Sequence, residues 1–378
     1  MASDGKLLFD TKLDTSGFKS GLSSFSAMAN VAGRGFKSIS DKAVSGIKTG
    51  FKAAGVAVGA FAGYSVKAGA DFDAAMSEVQ AISGASGKQL EALRNKAKEM
   101  GATTKFSATQ SAEALKYMGM AGWSSQEMLE GLPGVMNLAA ASGEDLGLVS
   151  DIVTDSLTAF GLKAKDTGRF VDVLAAASTA SNTNVSMLGE SFKYVAPVAG
   201  ALGYKVEDVS VALGLMANAG IKGSQAGTSL KSALSRLSAP TKQVQEQMNA
   251  LGISITDSKG QIKPFNQLMG EMRESFKGLS EDQKVQAATT LFGKESMAGM
   301  LAILNASDED FNKLTNSINN STGAAKRMAD TMNDNLKGDI KILISALEGL
   351  GISLFEHVDT PFREVVQSVT KQVDKLNQ

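Results

Sequence analysis

The chain has 378 residues, more than the roughly 100–200 of a typical single domain, so two or more structural regions are expected. Apolar residues make up 43% and charged residues 20%, which argues against wholesale disorder and against a strongly membrane-embedded protein. The 38 basic and 39 acidic residues give no charge excess that would select nucleic acid or an anionic membrane as the main partner, and the absence of cysteine excludes disulfides and thiolate chemistry.

The first 50 residues predict a strand followed by a long amphipathic helix. Apolar side chains alternate over residues 6–13, which is typical of a short strand, and residues 14–16 supply N-cap chemistry. Two interpretations of the helix are open, contact between copies of the chain or packing on its own domain. Its apolar residues are spaced alternately by four and three positions, as in a coiled-coil seam: Phe18, Leu22, Phe25, Ala29, Ala32, Phe36, Ile39 and Ala43.

The stretch from Ala53 to Val66 carries no charge. A membrane-spanning helix needs about 20 apolar residues, so a buried or interfacial helix is the first expectation for this shorter stretch. Gly55, Gly59 and Gly63 recur every four positions, a spacing that lets two helix backbones approach closely. Close helix packing and entry into a bilayer are both compatible with this pattern.

Residues 71–320 predict many short helices, because apolar residues recur with a period near 3.6 between Gly, Ser and Asn breakers. Within them, two β-prone arms at residues 252–264 surround the turn at residues 257–260 and predict a small β-hairpin. We therefore expect a helical central domain with one small departure from helical structure.

A weak internal repeat is also indicated in this region. Residues 113–117 align with residues 190–194, and after a four-residue insertion Gly122-Trp123 aligns with Gly203-Tyr204. The repeat predicts two similar multi-helix units, and chance similarity is the alternative.

After Asn320 the pattern predicts one long amphipathic helix up to Pro361, which either caps the domain core or begins a rod. Its apolar stripe is Met328, Met332, Leu336, Ile340, Leu343, Leu347, Leu350 and Leu354. The predicted fold is all-α: an elongated multi-helix protein with a helical central domain, a short N-terminal strand and one small β-hairpin. The predicted regions are residues 1–70, 71–320 and 321–378.

The sequence contains few combinations of residues that could form a catalytic site. His357 is the single histidine, so one chain cannot build a zinc site with two histidines, and Gly293-Lys294-Glu295 lacks the spacing of a phosphate loop. We predict no enzymatic activity and no catalytic, cofactor-binding or metal-binding residue. Carboxylate clusters are instead expected at helix starts, where they complement the free amides: Asp71/Asp73, Glu144/Asp145, Glu207/Asp208 and Asp308/Glu309/Asp310.

Residues 102–128, ATTKFSATQSAEALKYMGMAGWSSQEM, resemble the opening of the core region of phage tail tape measure proteins. Residues 194–240 are similar to the most recognisable segment of that family, including the turn at residues 219–224 and the helix start at residues 226–228. The resemblance covers residues 71–320 and the opening strand and helix, and it weakens after Asn320. Family members are commonly longer, so a fragment or a short tail is expected.

The resemblance implies a non-enzymatic scaffold in the lumen of the virion tail, around which tube subunits polymerise and whose length sets tube length. It implies the tail tube protein, tail assembly chaperones, distal tail or baseplate hub proteins and further copies of the chain as partners. It also implies assembly in the host cytoplasm and, at infection, contact with DNA and the host inner membrane, for which the Gly55–Gly63 helix is the candidate. A membrane-active, pore-forming helical module is the alternative, and a cell-wall hydrolase is a third hypothesis.

Overall fold

The computed structural model describes residues 55–356, with side chains from Tyr64 onward. This part of the chain folds into sixteen α-helices and one short 3₁₀ helix, without a β-sheet, so the all-α prediction is confirmed. The strand predicted at residues 6–13, the seam from Phe18 to Ala43 and His357 lie outside the described residues.

The elements follow one another with short connections. The first six helices are α1 (Gly55–Ser83), α2 (Lys88–Thr103), α3 (Ala108–Met120), α4 (Ser125–Ser142), α5 (Leu146–Ala159) and, after a 3₁₀ helix (Ala164–Asp166), α6 (Thr167–Ala180). The next five are α7 (Val185–Ala201), α8 (Val206–Asn218), α9 (Gly223–Ser238), α10 (Lys242–Leu251) and α11 (Phe265–Lys277). The last five are α12 (Glu281–Phe292), α13 (Lys294–Leu304), α14 (Asp308–Asn319), α15 (Ala324–Asn333) and α16 (Leu336–Glu356).

Local sequence explains many of the helix starts. At α3 the Ser107 hydroxyl accepts a hydrogen bond from the Gln110 amide N–H (3.2 Å), and the Gln110 side chain accepts one from the Ser107 N–H (3.0 Å). Ser124 and Glu127 form the same reciprocal pair at α4. Each pair satisfies two amides that have no partner within the helix, so a Ser followed three positions later by Gln or Glu begins a helix.

Local sequence also explains where two of the short helices end. Gly122 and Gly203 adopt positive φ angles of 82° and 72°, which lets the next residue fold back on the helix. The Trp123 N–H then donates to the Met118 carbonyl (3.1 Å), and the Tyr204 N–H donates to the Ala199 carbonyl (2.9 Å). This capping geometry ends α3 and α7 within one turn.

The chain divides into two compact units, one formed by residues 1–74 with 347–378 and the other by residues 75–346. In the described part of the first unit, α1 packs against the end of α16. A Cβ added to Gly69 would lie 2.1 Å from the Phe355 ring, and one added to Gly351 would lie 3.1 Å from the Ser65 Cα. Small residues therefore permit this close crossing of the two helices.

The second unit contains most of the buried apolar surface. Its core combines large side chains with many buried alanines, and α7 and α9 form its most extensive helix pair. The largest fully buried side chains of this unit include Phe170, Phe192, Phe265, Phe276, Phe292, Met76, Leu93, Leu115, Met118, Met128 and Leu132. Since small residues alternate with these large ones, the helices pack closely.

The β-hairpin predicted at residues 252–264 is not shown. The turn forms, with the Asp257 N–H donating to the Gln261 carbonyl (2.8 Å), but its arms make a single isolated antiparallel bridge between Thr256 and Ile262. The arms are short, and the Ser254 hydroxyl donates a hydrogen bond to the carbonyl of nearby Thr256 (2.8 Å). A side chain that bonds locally in this way competes with a strand ladder.

Two helices, α15 and α16, occupy the stretch where one uninterrupted helix was predicted. The break falls at Asp334-Asn335. The Asn335 side-chain oxygen accepts from the Gly338 N–H (3.1 Å), while its side-chain amide donates to the Met332 carbonyl (2.9 Å). Asn335 therefore caps the start of α16 and the end of α15 at once, an effect that apolar periodicity does not register.

Candidate functional site: close helix contacts and an exposed apolar helix face

Gly55, Gly59 and Gly63, predicted as a helix-packing or membrane site, lie in the first turns of α1. Their surroundings belong to the part of α1 whose side-chain environment is not described, so both roles stay predictions. Within residues 55–356, no helix is long and apolar enough to cross a membrane.

A close contact between two helix backbones lies elsewhere, between α7 and α9. A Cβ added to Gly227 would lie 2.2 Å from the Ser191 carbonyl oxygen, so the two backbones touch at this point. The Ser191 hydroxyl lies 2.8 Å from the Gly223 carbonyl and 3.0 Å from the Met187 carbonyl. The segment that resembles the tape measure family therefore carries a contact that only a residue without a side chain permits.

Glycines bring further helices equally close. A Cβ at Gly189 in α7 would lie 2.5 Å from Ile152 in α5, and one at Gly299 in α13 would lie 2.4 Å from the Ser229 hydroxyl in α9. Sequence reasoning missed these positions. It also missed Gly227, which the four-residue spacing of Gly223 and Gly227 could have indicated, the same spacing that singled out Gly55 to Gly63.

Charged side chains form hydrogen bonds with the backbone at helix ends in the second unit. The Asp172 carboxylate in α6 accepts from the Gly323 N–H (2.7 Å) and the Ala325 N–H (3.0 Å), and so caps α15 from a distant part of the chain. The guanidinium of Arg236 donates to the last turn of α12, with Nη2 2.9 Å from the Thr290 carbonyl. Both arrangements place charge where a helix end has unpaired backbone groups.

Arg273 is buried and joins two further elements. Its guanidinium donates to the Ile303 carbonyl (3.0 Å) and to the Asp308 carboxylate (2.7 Å), and lies over the Phe311 ring at 4.8 Å from its centroid. Hydrogen bonds from Arg273 and Lys277 hold the pKa of Asp308 below its usual range. The acidic cluster at residues 308–310 lies in the first turn of α14, so its predicted position at a helix start is confirmed.

Burial shifts two titratable groups near the start of α8. Burial raises the pKa of Tyr204 to about 12, and its ring stacks on Phe265 with centroids 4.9 Å apart. Burial also raises the pKa of Asp208, partly offset by a hydrogen bond from the Asn266 N–H. Trp123, the counterpart of Tyr204 in the predicted repeat, packs over Gly131. Both aromatic residues therefore pack against other residues of the chain.

The other carboxylate pairs differ in their placement. Asp145 caps α5, because its carboxylate accepts from the Leu148 N–H at 3.0 Å, and Glu207 and Asp208 lie in the first turn of α8. Asp71 and Asp73 lie in the interior of α1, so their predicted position at a helix start was wrong. The described residues contain no group of three or more His, Asp or Glu side chains placed to hold a metal ion.

The turn at residues 219–224 lies at the surface between two open grooves. Ala219 and Ile221 line a largely apolar groove of about 520 Å³ together with residues of α13. Gly223 lines a more polar groove of about 460 Å³ with residues of α5 and α7, among them Glu190 and Lys193. The motif is thus accessible from outside while the helix that follows it is held in the core.

The first half of α16 exposes large apolar side chains. Leu336 is 75%, Ile340 47% and Leu343 36% exposed. On the opposite side of the helix the small residues Gly338 and Ser345 are buried, and the Ser345 hydroxyl donates to the Lys105 carbonyl (3.3 Å). The helix therefore rests on its own unit through small residues and turns its large ones outward.

The sequence profile of the family described as phage-related minor tail protein matches residues 94–293, more than half of the chain. The chain belongs to the phage tail tape measure family. The profile covers the close contact between α7 and α9 and the turn at residues 219–224.

Curated tape measure proteins are similar over most of the chain. The tape measure protein of Pneumococcus phage Dp-1 is 40% identical over 314 residues, which cover 83% of this chain and 27% of that protein. The probable tape measure protein of Escherichia phage P2 is 31% identical over 345 residues, covering 89% of this chain and 42% of that protein. The chain thus matches between about a quarter and two fifths of the length of these relatives. No solved structure matches it significantly.

Proposed function

We propose that this chain forms part of a scaffold inside a phage tail tube and that the length of the scaffold sets the length of the tube. The match to the tape measure family over residues 94–293 carries this proposal. In this proposal the tail tube protein, tail assembly chaperones and distal tail or baseplate hub proteins are the partners, and several copies of the chain lie side by side in the tail lumen.

The helical architecture supports a division of labour within the chain. A helix advances about 1.5 Å per residue, so its length follows residue number, whereas a compact unit adds little length per residue. We propose that the helical domain predicted at residues 71–320 is an end domain and that the extended parts lie in the regions predicted at residues 1–70 and 321–378. The internal repeat of the central region stays a prediction.

A length series in the phage that carries the gene tests the proposal. Two extra copies of the 21-residue helix α16 (Leu336–Glu356), inserted after Glu356, add 42 residues and should lengthen the tail by about 60 Å. Electron microscopy of purified virions measures the change directly.

The matched control places the same number of residues, as a Gly/Ser segment, in the exposed turn at residues 257–260 of the compact unit. This insertion should leave tail length unchanged. If tail length does not change with the helix insertion, or increases equally with both insertions, the ruler role is refuted.

A role in genome passage across the host inner membrane is a finer proposal, supported by the charge-free stretch around Gly55, Gly59 and Gly63. It predicts that the chain with all three changed to Leu still assembles tails of normal length but delivers less DNA, measured as potassium efflux and DNA entry into infected cells. Leakage of liposomes caused by the isolated chain would instead favour the pore-forming module.

A further inference from the structure

We infer that α16 is a self-association helix and that its partner is the same helix of a second copy of this chain. The inference rests on the proposed function for the presence of several copies in one tail, and it names the surface through which they meet. Two features of α16 support it. Its large apolar residues have the spacing of a coiled-coil seam, and the first of them are exposed on one side of the helix.

The register is that of a coiled-coil seam. Large aliphatic residues of α16 recur at intervals of four and three positions through three heptads, which is the spacing of the a and d positions. They are Leu336, Ile340, Leu343, Leu347, Leu350 and Leu354. Because the spacing is unbroken, identical helices placed side by side meet layer for layer without a shift of register.

The first three seam residues show that this side of the helix is open. Leu336, Ile340 and Leu343 are between 36% and 75% exposed, although residues of this type are mostly buried in a folded chain. Ile344, beside the seam, is also 53% exposed. Contiguous exposed apolar residues of this kind mark an interaction surface.

The side that the helix uses for its own chain lies away from the seam. Gly338 and Ser345 are seven positions apart, both are buried, and neither belongs to the seam. The last three seam residues, Leu347, Leu350 and Leu354, are half-buried within the chain, so the open part of the seam is its first half. Since the first half of α16 is attached through Gly338 and Ser345, a second copy can cover the exposed seam residues while these small residues keep their contacts.

The flanks of the seam favour the same helix over a different, charged partner. The positions that border the a and d residues between Leu336 and Glu356 are Lys337, Asp339, Ile344, Ala346, Gly351 and Ser353. They carry one positive and one negative charge, so no excess charge selects a partner of opposite sign. A self-complementary apolar seam is the arrangement that a symmetric interface between copies requires.

The experiment measures the mass of the purified 378-residue chain by sedimentation equilibrium across a range of concentrations. The unaltered chain should form oligomers, and Ile340→Glu should weaken association by about tenfold or more, because each copy loses one buried aliphatic contact and gains a charge in the seam. Val285→Glu is the matched control, since Val285 in α12 is 46% exposed against 47% for Ile340, and it should leave association unchanged.

Circular dichroism of each variant establishes that the helices remain folded. An unaltered chain that stays monomeric at every concentration overturns the inference, as does equal weakening by Ile340→Glu and Val285→Glu. The measured mass is independent of tail length, so the two proposals can fail separately. If the length series fails while the chain still self-associates, only the ruler role is refuted. If tail length is controlled normally by a chain that stays monomeric, only the self-association of α16 is refuted.

Discussion

The contact between α7 and α9 and the first half of α16 use small residues in the same way but treat large apolar residues differently. In both regions a glycine and a serine face the packed side, Gly227 with Ser191 and Gly338 with Ser345. In α7 and α9 large apolar residues such as Phe192 and Leu230 are buried as well, whereas in α16 Leu336 and Ile340 face outward.

The difference shows that close packing and apolar burial are separable. The α7–α9 pair stabilises its own unit, because backbone contact and side-chain burial occur at the same interface. The first half of α16 is attached by small residues alone, so its apolar surface contributes little to the stability of a single chain and is available for assembly. Five substitutions test this contrast, in order of decreasing expected effect.

The largest effect is expected at Gly227. Gly227→Ala should destabilise the fold by about 2–3 kcal/mol, because the new Cβ would meet the Ser191 backbone at 2.2 Å and the two helices must separate. Denaturant unfolding monitored by circular dichroism gives the free energy. Gly270→Ala in α11 is the control, since nothing lies within 4 Å of a Cβ there, and it should stabilise by about 0.5–1 kcal/mol through helix propensity. Equal effects at the two glycines would contradict the close contact.

A smaller loss is expected when the cap of α15 is removed. Asp172→Ala should cost about 1–2 kcal/mol, because the Gly323 and Ala325 amides lose their acceptor. Hydrogen exchange at those two amides should accelerate together with the loss of stability. Asp330→Ala, which breaks an exposed ion pair with Lys326, should cost less than about 0.5 kcal/mol. Unchanged exchange at Gly323 would show that Asp172 is not the cap.

The third prediction concerns pH. Because burial raises the pKa of Asp208, ionisation opposes folding at neutral pH, and this penalty disappears as the pH falls and the native state takes up the proton. Asp208→Asn should therefore stabilise the chain modestly at about pH 7, with a difference that shrinks towards about pH 4.

Asp308→Asn should have the opposite effect on stability at neutral pH. Hydrogen bonds from Arg273 and Lys277 lower the pKa of Asp308, so its contribution is present at neutral pH and is lost as the pH falls. The variant should be destabilised at about pH 7 and approach the unaltered chain in acid. If the unfolding free energy of each variant differed from that of the unaltered chain by the same amount at every pH in this range, both pKa shifts would be refuted.

The smallest effect is expected in α16. Ile340→Ala should change the unfolding free energy of the dilute, monomeric chain by less than about 0.5 kcal/mol, because nearly half of this side chain is already in contact with solvent. Leu230→Ala in the fully buried face of α9 should cost about 2–5 kcal/mol under the same conditions. A large loss from Ile340→Ala would mean that the outward face stabilises the single chain after all.

Several features of the protein could be read from the sequence alone, because they depend on residues within about five positions of one another. The capping pairs at Ser107 and Ser124 begin helices, glycines such as Gly122 and Gly203 end them, and apolar periodicity between these signals specifies an all-α fold. The family resemblance likewise follows from contiguous motifs, in particular the turn at residues 219–224.

The tertiary structure alone decided which surfaces are used. The sequence singled out Gly55 to Gly63, whose role stays a prediction, but it did not single out Gly227, where α7 and α9 meet closely, since a glycine becomes a contact site only where another helix arrives. Asp172 caps a helix that begins about 150 positions later, and periodicity predicted the apolar stripe of α16 without saying that it faces outward. The physical reason is that burial depends on the partner surface, which comes from a distant part of the chain and leaves no mark in the local pattern.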